Sequence, residues 1–235
     1  MGEYKKVAAI LGASIVMASL VFGLFFFHSR KPNQTITVVG TASKQYESDT
    51  VKFSITITET SGLDDMADGR RRLYGSLREL IDFLGVEGIP ETQISIIPSN
   101  VYERWGQSGI EGYRYEQEIY VISKDIDTVE YLALNVIPLL ERDINVYRTR
   151  LEYFYSDLDE LKKNMVAEAT ENAKQRAYEM LRGSDMELGK LQTLRQGVFQ
   201  ITQPESTEVS SGGIHDTSTR QKQISVTAHA VFKIK

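Results

Sequence analysis

VKFSITITET, residues 51–60, alternates without a break: Val51, Phe53, Ile55 and Ile57 fall on one side, Lys52, Ser54, Thr56 and Thr58 on the other. Successive side chains of a strand point to opposite faces, so this stretch is a half-buried strand. The segment before it, TITVVGTASKQY (35–46), also alternates and is rich in Thr and Val. Glu47-Ser48-Asp49 interrupts the two, which predicts strands paired as a hairpin or around a bulge. After residue 62 the period changes. Met66, Leu73, Leu77, Leu80, Ile81 and Leu84 recur at helical spacing between Leu63 and Leu84, and Gly85 is placed to end that helix. Gly69 and Gly75 inside it each weaken a helix by about 1 kcal/mol relative to Ala.

Further along, ISIIPSNVYERW (94–105) and GYRYEQEIYVIS (112–123) read as two strands around a turn, with Pro98 marking an edge or a bulge. Asp125–Leu140 reads as a second helix with Asp127 as N-cap, and NVYRTRLEYFYS (145–156) as a strand. Ser156 is read as the cap of the strongest helix, Asp157–Arg182, with Asp159 at the capping-box position and Gly183 just past the end. Its apolar stripe is Leu158, Leu161, Met165, Ala169, Ala173 and Ala177, whose three alanines permit close approach. LGKLQTLRQGVFQI (188–201) reads as one strand, QPESTEVSSGGIHDTST (203–219) as a polar loop, and RQKQISVTAHAVFKIK (220–235) as a closing strand alternating from Ile224 to Ile234. The order ββαββαβαββ is an α+β fold with antiparallel sheet and packed helices.

This domain follows an apolar segment. Val7–Phe27 holds 21 residues without a charge, about 32 Å as a helix and close to the ~30 Å hydrocarbon core of a bilayer. Lys5 and Lys6 precede it, and His28, Arg30 and Lys31 follow. The run is longer than the apolar core of a cleaved signal, about 7–15 residues, and ends on three phenylalanines rather than small residues. The expected organisation is a cytoplasmic tail (1–6), a transmembrane signal anchor (7–27), a linker (28–34) and the α+β domain (35–235). The anchor would sit in the inner (cytoplasmic) membrane as a single pass, with the domain in the periplasm or outside the cell. Without residues 1–32, the remaining 203 carry 23 basic and 31 acidic side chains, a net charge of −8. That acidic balance argues against nucleic acid as a partner and against a broad contact with anionic lipid.

Composition narrows the chemistry. Cysteine is absent, which excludes a disulfide framework, a thiolate nucleophile and a Cys-ligated metal, and three histidines make a poor multi-histidine site. No Gly-x-Ser-x-Gly turn accompanies His215 or His229. The carboxylate pairs Asp64/Asp65, Asp125/Asp127 and Asp157/Asp159 lie at helix starts, where the helix dipole favours negative charge. Arg70-Arg71-Arg72 has no glycine-rich phosphate loop beside it and reads as a solvated face. No catalytic residue, cofactor or metal site is expected. The side chains that stand out are aromatic: Tyr102, Trp105, Tyr113 and Tyr115, in or near one hairpin, form a candidate oligomer interface. They also suit cross-strand pairing in a long ribbon.

Taken in order, several of these residues resemble SIMPL-domain proteins. Gly40 and Asp49 stand where the family has a glycine turn and a Pro-Asp step, while Thr41-Ala42 and Ser48 depart from its usual form. Pro98, Tyr102, Gly112, Tyr113, Asp125 and Asp127 match the central stretch. Phe154, Ser156, Asp157, Ala169, Ala173, Arg176-Ala177 and Leu188-Gly189-Lys190 match the long helix and its exit, and SVTAHAVFKIK (225–235) the closing strand. The resemblance spans about residues 35–235. It implies an α+β fold in a secreted or envelope-exposed protein. Some relatives, including a periplasmic immunogenic protein, form ring-shaped, channel-like oligomers; others are linked to oxidative-stress tolerance, and a eukaryotic branch to kinase signalling. The family carries no established catalytic set.

The expected function is therefore a membrane-anchored, non-enzymatic envelope protein that forms a ring- or cage-like homo-oligomer. The alternative is a monomeric periplasmic ligand-binding or chaperone-like module. Protease added to the outer face of intact inner membranes is expected to digest residues 35–235. Full protection of that domain, with digestion only after lysis, would place it on the cytoplasmic side instead.

Overall fold

The computed structural model describes residues 2–29 and 34–235. The expected basic flank and part of the linker, residues 30–33, lie outside the described residues. The first helix, α1 (Gly2–Ser29), contains the apolar span Tyr4–Phe27, 24 residues of mean hydropathy 2.4, long and apolar enough to cross a membrane. Its hydroxyls do not interrupt it. Ser14 and Ser19 each donate to the carbonyl one turn back, Ile10 and Ile15, at 2.8 Å, which removes the need for water.

The remainder forms two antiparallel-based sheets. One contains β2 (Thr50–Ser61), β3 (Ile94–Ile96), β4 (Asn100–Gly106), β5 (Gly109–Ser123) and β6 (Val146–Phe154), in the order β3-β5-β2-β6 with β4 also on β5. The other contains β1 (Thr35–Glu47), β7 (Leu188–Gln196), β8 (Gln200–Thr202), β9 (Ile214–His215) and β10 (Gln221–Ile234), in the order β1-β10-β8-β9 with β7 also on β10. The helices are α2 (Met66–Val86), α3 (Ile126–Leu134), α4 (Ile137–Leu140) and α5 (Leu158–Leu181). The α+β reading holds.

The chain divides into two compact units. One comprises Met1–Gly40, Thr170–Arg195 and Ala228–Lys235, the other Thr41–Ala169 and Gln196–Thr227. In the larger unit β2 is a central strand. Val51, Phe53, Ile55 and Ile57 are 0–1% exposed and pack with Leu73, Leu80, Phe83 and Leu84 of α2 and Val129 and Leu132 of α3. The opposite face is buried too: Ser54, Thr56 and Thr58 are at most 8% exposed. The register explains this. Ser54 lies between Tyr120 and Arg150, and Thr56 between Glu118 and Arg148, so short side chains sit beneath long ones. In the smaller unit Ala173 and Ala177 are fully buried against Val38, Ala230 and Phe232. The alanine stripe does permit the close approach.

Six local expectations need correction. β1 does not pair with β2; it joins β10, and β2 lies between β5 and β6. α2 ends not at Gly85 but through Gly88 (φ +93): the Gly88 N–H reaches the Gly85 carbonyl at 3.2 Å and the Ile89 N–H reaches Leu84 at 2.9 Å, a paired closure that a left-handed glycine allows. The second helix breaks into α3 and α4 around Asn135 because Pro138 lacks an N–H and its ring crowds the carbonyl four residues back. Residues 94–105 are two strands parted at Ile97–Ser99. There the Gln117 side chain donates to the Ile97 carbonyl, and the Ile97 N–H bonds Glu118 at 3.0 Å. Residues 188–201 likewise part at Gly197–Phe199, and the expected polar loop contains the short strand β9.

The two glycines of α2 differ in kind. A Cβ on Gly69 would meet the Tyr115 ring at 2.6 Å and Ser61 Cβ at 2.8 Å, whereas nothing lies within 4 Å of one on Gly75. Gly75→Ala is expected to raise stability by about 0.5–1 kcal/mol through helix propensity alone. Gly69→Ala gains the same term but overpacks the core by about 1–3 kcal/mol, so it should lower stability. Urea unfolding of the two variants checks this; equal shifts in the same direction would contradict it.

Candidate functional site

β5 outruns the strand beside it. Tyr113–Ser123 pairs with β2 from Ser61 back to Val51, but Gly109–Gly112 pairs only with β4, as Arg104↔Gly112, Trp105↔Ile110 and Gly106↔Gly109. The tip is thus a two-stranded ribbon beyond the end of β2. At its base a Cβ on Gly112 would run into the Ser61 carbonyl oxygen, so only glycine lets β5 pass there.

The structure places the four candidate interface residues differently. Trp105 is 70% exposed and Tyr102 44%. Tyr113 is half-buried and packs against the core. Tyr115 is 1% exposed, with its hydroxyl 3.1 Å from both Ser61 Oγ and the Met66 carbonyl. Tyr115 is therefore a core residue and leaves the candidate interface. It shares the inward parity of β5 with Ile119 and Val121. Arg114, opposite Tyr102, was not singled out from sequence. Its guanidinium carbon lies 5.4 Å from the ring centres of both Tyr102 and Tyr147, and Nη2 is 3.0 Å from Glu116.

A second cluster forms around Arg220. Its Nε and Nη1 donate to Glu47 and Asp127, both at 2.6 Å, and Glu130 lies at 3.6 Å. Glu130 in turn accepts from the Tyr153 hydroxyl at 2.7 Å. Burial, then the Glu130 carboxylate, pushes that hydroxyl up to about 12. Asp127 is thus an ion-pair partner and not the cap. The cap of α3 is Asp125, which accepts from the Thr128 N–H at 3.2 Å and the Thr128 hydroxyl at 2.8 Å. These bonds hold the Asp125 carboxyl below the usual range. The arginine run of α2 is a solvated face, all three side chains being exposed; within it Arg71 bonds Asp68, and Arg72 bonds the Thr60 carbonyl at 2.7 Å.

Ser156 lies outside α5 and is held elsewhere. Asp49 accepts from its N–H at 2.9 Å, from its hydroxyl at 3.0 Å and from the Thr50 hydroxyl at 2.9 Å. Burial acts to raise the Asp49 carboxyl, but these donors outweigh it and hold it below the usual range. Lys222, 1% exposed, was also missed. It donates to the Asp216 carbonyl at 2.7 Å, and burial pushes its ammonium down despite the Asp216 charge. The signal was present: Lys222 has the parity of Ile224, Val226, Ala228, Ala230 and Phe232, the inward face of β10.

A family model described as SIMPL, protein of unknown function (DUF541), matches residues 36–232. The chain belongs to the SIMPL family. No curated protein matches it. A crystal structure of an uncharacterized conserved protein from Listeria innocua aligns with 82% of this chain and 92% of its own, at 9% identity and a TM-score of 0.21. Among the residues that carry the SIMPL resemblance, Asp49 and Ser156 bind each other, Gly112 clears Ser61, Asp125 caps α3, and Ala169, Ala173 and Ala177 are fully buried. These positions build the fold.

The depressed Asp49 carboxyl has a pH signature. Its contribution to stability is complete above the ordinary value of 3.8 and is lost as pH falls through its lower folded value. Asp49→Asn is expected to lower stability by about 1–3 kcal/mol at neutral pH and to reduce the loss on acidification. Denaturant unfolding at pH 7 and pH 3 measures both; an unchanged difference between the two pH values would contradict the assignment.

Proposed function

We propose that this SIMPL protein is a non-enzymatic, single-pass envelope protein. α1 is an uncleaved anchor in the inner membrane, and the domain lies on the outer side and assembles into a ring- or cage-like homo-oligomer. The observation that carries this reading is the ribbon: β4 is an edge strand on β5, with Val101, Tyr102 and Trp105 all more than 40% exposed. Long exposed edges with apolar side chains favour pairing with another chain. The same sheet has a second edge at β6, which pairs with β2 and bears exposed Tyr147. Near one end of β6 the Tyr153 N–H also bonds the Thr217 carbonyl, at 2.8 Å. Contact between unlike edges is head-to-tail, which gives a ring where the rotation between copies closes and an open filament where it does not. Anchors held in one plane would add avidity for the membrane.

The donors around three carboxylates fit a structural role for those three. Asp49, Asp125 and Asp216 are all held below the usual range. That is the wrong direction for a carboxylic acid that must donate a proton near neutral pH.

Light scattering and negative-stain imaging of the detergent-solubilised full-length protein test the reading. A multi-subunit closed particle is expected, and Trp105→Ala should lower its mass while leaving the circular dichroism unchanged. A monomeric wild type would overturn the assembly, and an unchanged particle in the variant would remove the ribbon from the contact.

A further inference from the structure

The larger unit contains an open cavity of about 450 Å³ that no assembly contact requires. It forms where the sequence reads as one strand but the chain departs from it, at Gly197–Phe199 between β7 and β8. Gly197, Gly212 and Gly213 line it with bare backbone. Gly213 is at φ +86, and a Cβ there would lie 2.8 Å from the Phe199 carbonyl oxygen, so this part of the wall excludes side chains. Glycine at a strand break marks a bulge, a bend, or close approach of another backbone or a ligand, and here Thr227 and the Phe199 carbonyl take up the space beside Gly197 and Gly213 and leave the cavity beyond them open.

The lining is chemically one-sided. Phe199, Val198, Ile201 and Ile214 supply an apolar surface, and the ionisable members are Lys162 and His215, with no Asp or Glu among them. This is unusual in a chain of net charge −5. The Lys162 ammonium lies 5.7 Å from the centre of the Phe199 ring and has no carboxylate within ion-pair distance among the described residues. Its neighbour Lys163, by contrast, is paired with Glu160 at 3.2 Å. The Gln196 amide and the His215 ring, which complete the polar side, make no hydrogen bond among the described residues. Asp216, next to His215 in the chain, accepts from the Ser218 N–H at 2.7 Å and lines another cavity with Glu208.

We propose that this cavity binds a small organic carboxylate with a planar apolar body. The carboxylate would be met by Lys162, with Gln196 and His215 as further donors, and the body would lie on Phe199 and Val198. A cavity with an apolar floor and a few convergent unpaired donors is the usual build of a small-molecule site. Charge-assisted hydrogen bonds to a carboxylate give the orientation.

Benzoate is the probe, with benzyl alcohol as its uncharged analogue and inorganic phosphate as charge without an apolar body. Calorimetric titration of full-length protein in detergent is expected to show saturable benzoate binding with Kd on the order of 1 mM. Benzyl alcohol and phosphate should each bind at least about tenfold more weakly, the effect of one charge-assisted contact. Lys162→Gln should weaken benzoate by about tenfold and Lys162→Arg should restore most of it, with thermal melts showing both variants folded. Absence of saturation, equal binding to the Gln variant, or phosphate or benzyl alcohol binding as tightly as benzoate would overturn the proposal.

Discussion

At Ser48–Asp49 the chain leaves one sheet and enters the other, and the rest of the architecture depends on how that step is held. The Ser48 N–H bonds the Arg220 carbonyl at 2.9 Å, whereas the next N–H, that of Asp49, bonds Phe154 at 3.0 Å. Two adjacent amides thus serve different strand systems. The Asp49 carboxylate locks the crossing by accepting from Ser156, 107 residues later, and from Thr50. With the step fixed, β2 begins in register with both β5 and β6 and can bury both of its faces. Arg220 reinforces the same corner by joining Glu47 at the end of β1 to Asp127 and Glu130 on α3.

This frame separates residues that identify the family from residues that are free to act. Asp49, Gly112, Asp125, Ser156 and the buried alanines are committed to turns, caps and close packing. Backbone N–H groups and tight contacts must be satisfied wherever the fold occurs, so such positions mark a family without naming a reaction. Trp105, Lys162 and Phe199 lie outside that set. Trp105 is exposed at the tip of a ribbon, and the Lys162 ammonium faces an aromatic ring instead of an acid. The proposed surface for self-association and the proposed cavity for a small anion therefore lie on different elements, and one can change without the other.

The apolar α1 adds a constraint of place rather than of fold. Its described side chains are exposed, and Ser14 and Ser19 are satisfied within the helix. The length and composition of the segment are enough to state that it can cross a bilayer. Among the described residues, the hydrophobic clusters around Phe53 and around Ala173 and Ala177 take no side chain from α1, the second of them beginning at Ile36.

Periodicity alone determined the α+β class, the apolar span, the inward face of β2 and the alanine stripe of α5, because strand and helix periods are set by backbone geometry that each residue carries locally. Pro138 and the inward parity of Lys222 were local signals too, although Asp125–Leu140 reads as one helix and the alternation of the closing strand reads from Ile224. Other features depended on contacts distant in sequence. Gly69 reads as a weak point in a helix until the Tyr115 ring is placed against it. Ser156 reads as a cap until Asp49 claims its donors. Tyr115 and Trp105 read alike, and only the end of β2 and the facing of β5 sent one into the core and the other into solvent. The partner of β1, the break at Gly197 and the meeting of Lys162 with Phe199 were decided by tertiary structure alone. Strand pairing satisfies backbone groups without regard to sequence separation, so local pattern specifies which residues form a strand and face inward but not which strand lies beside it.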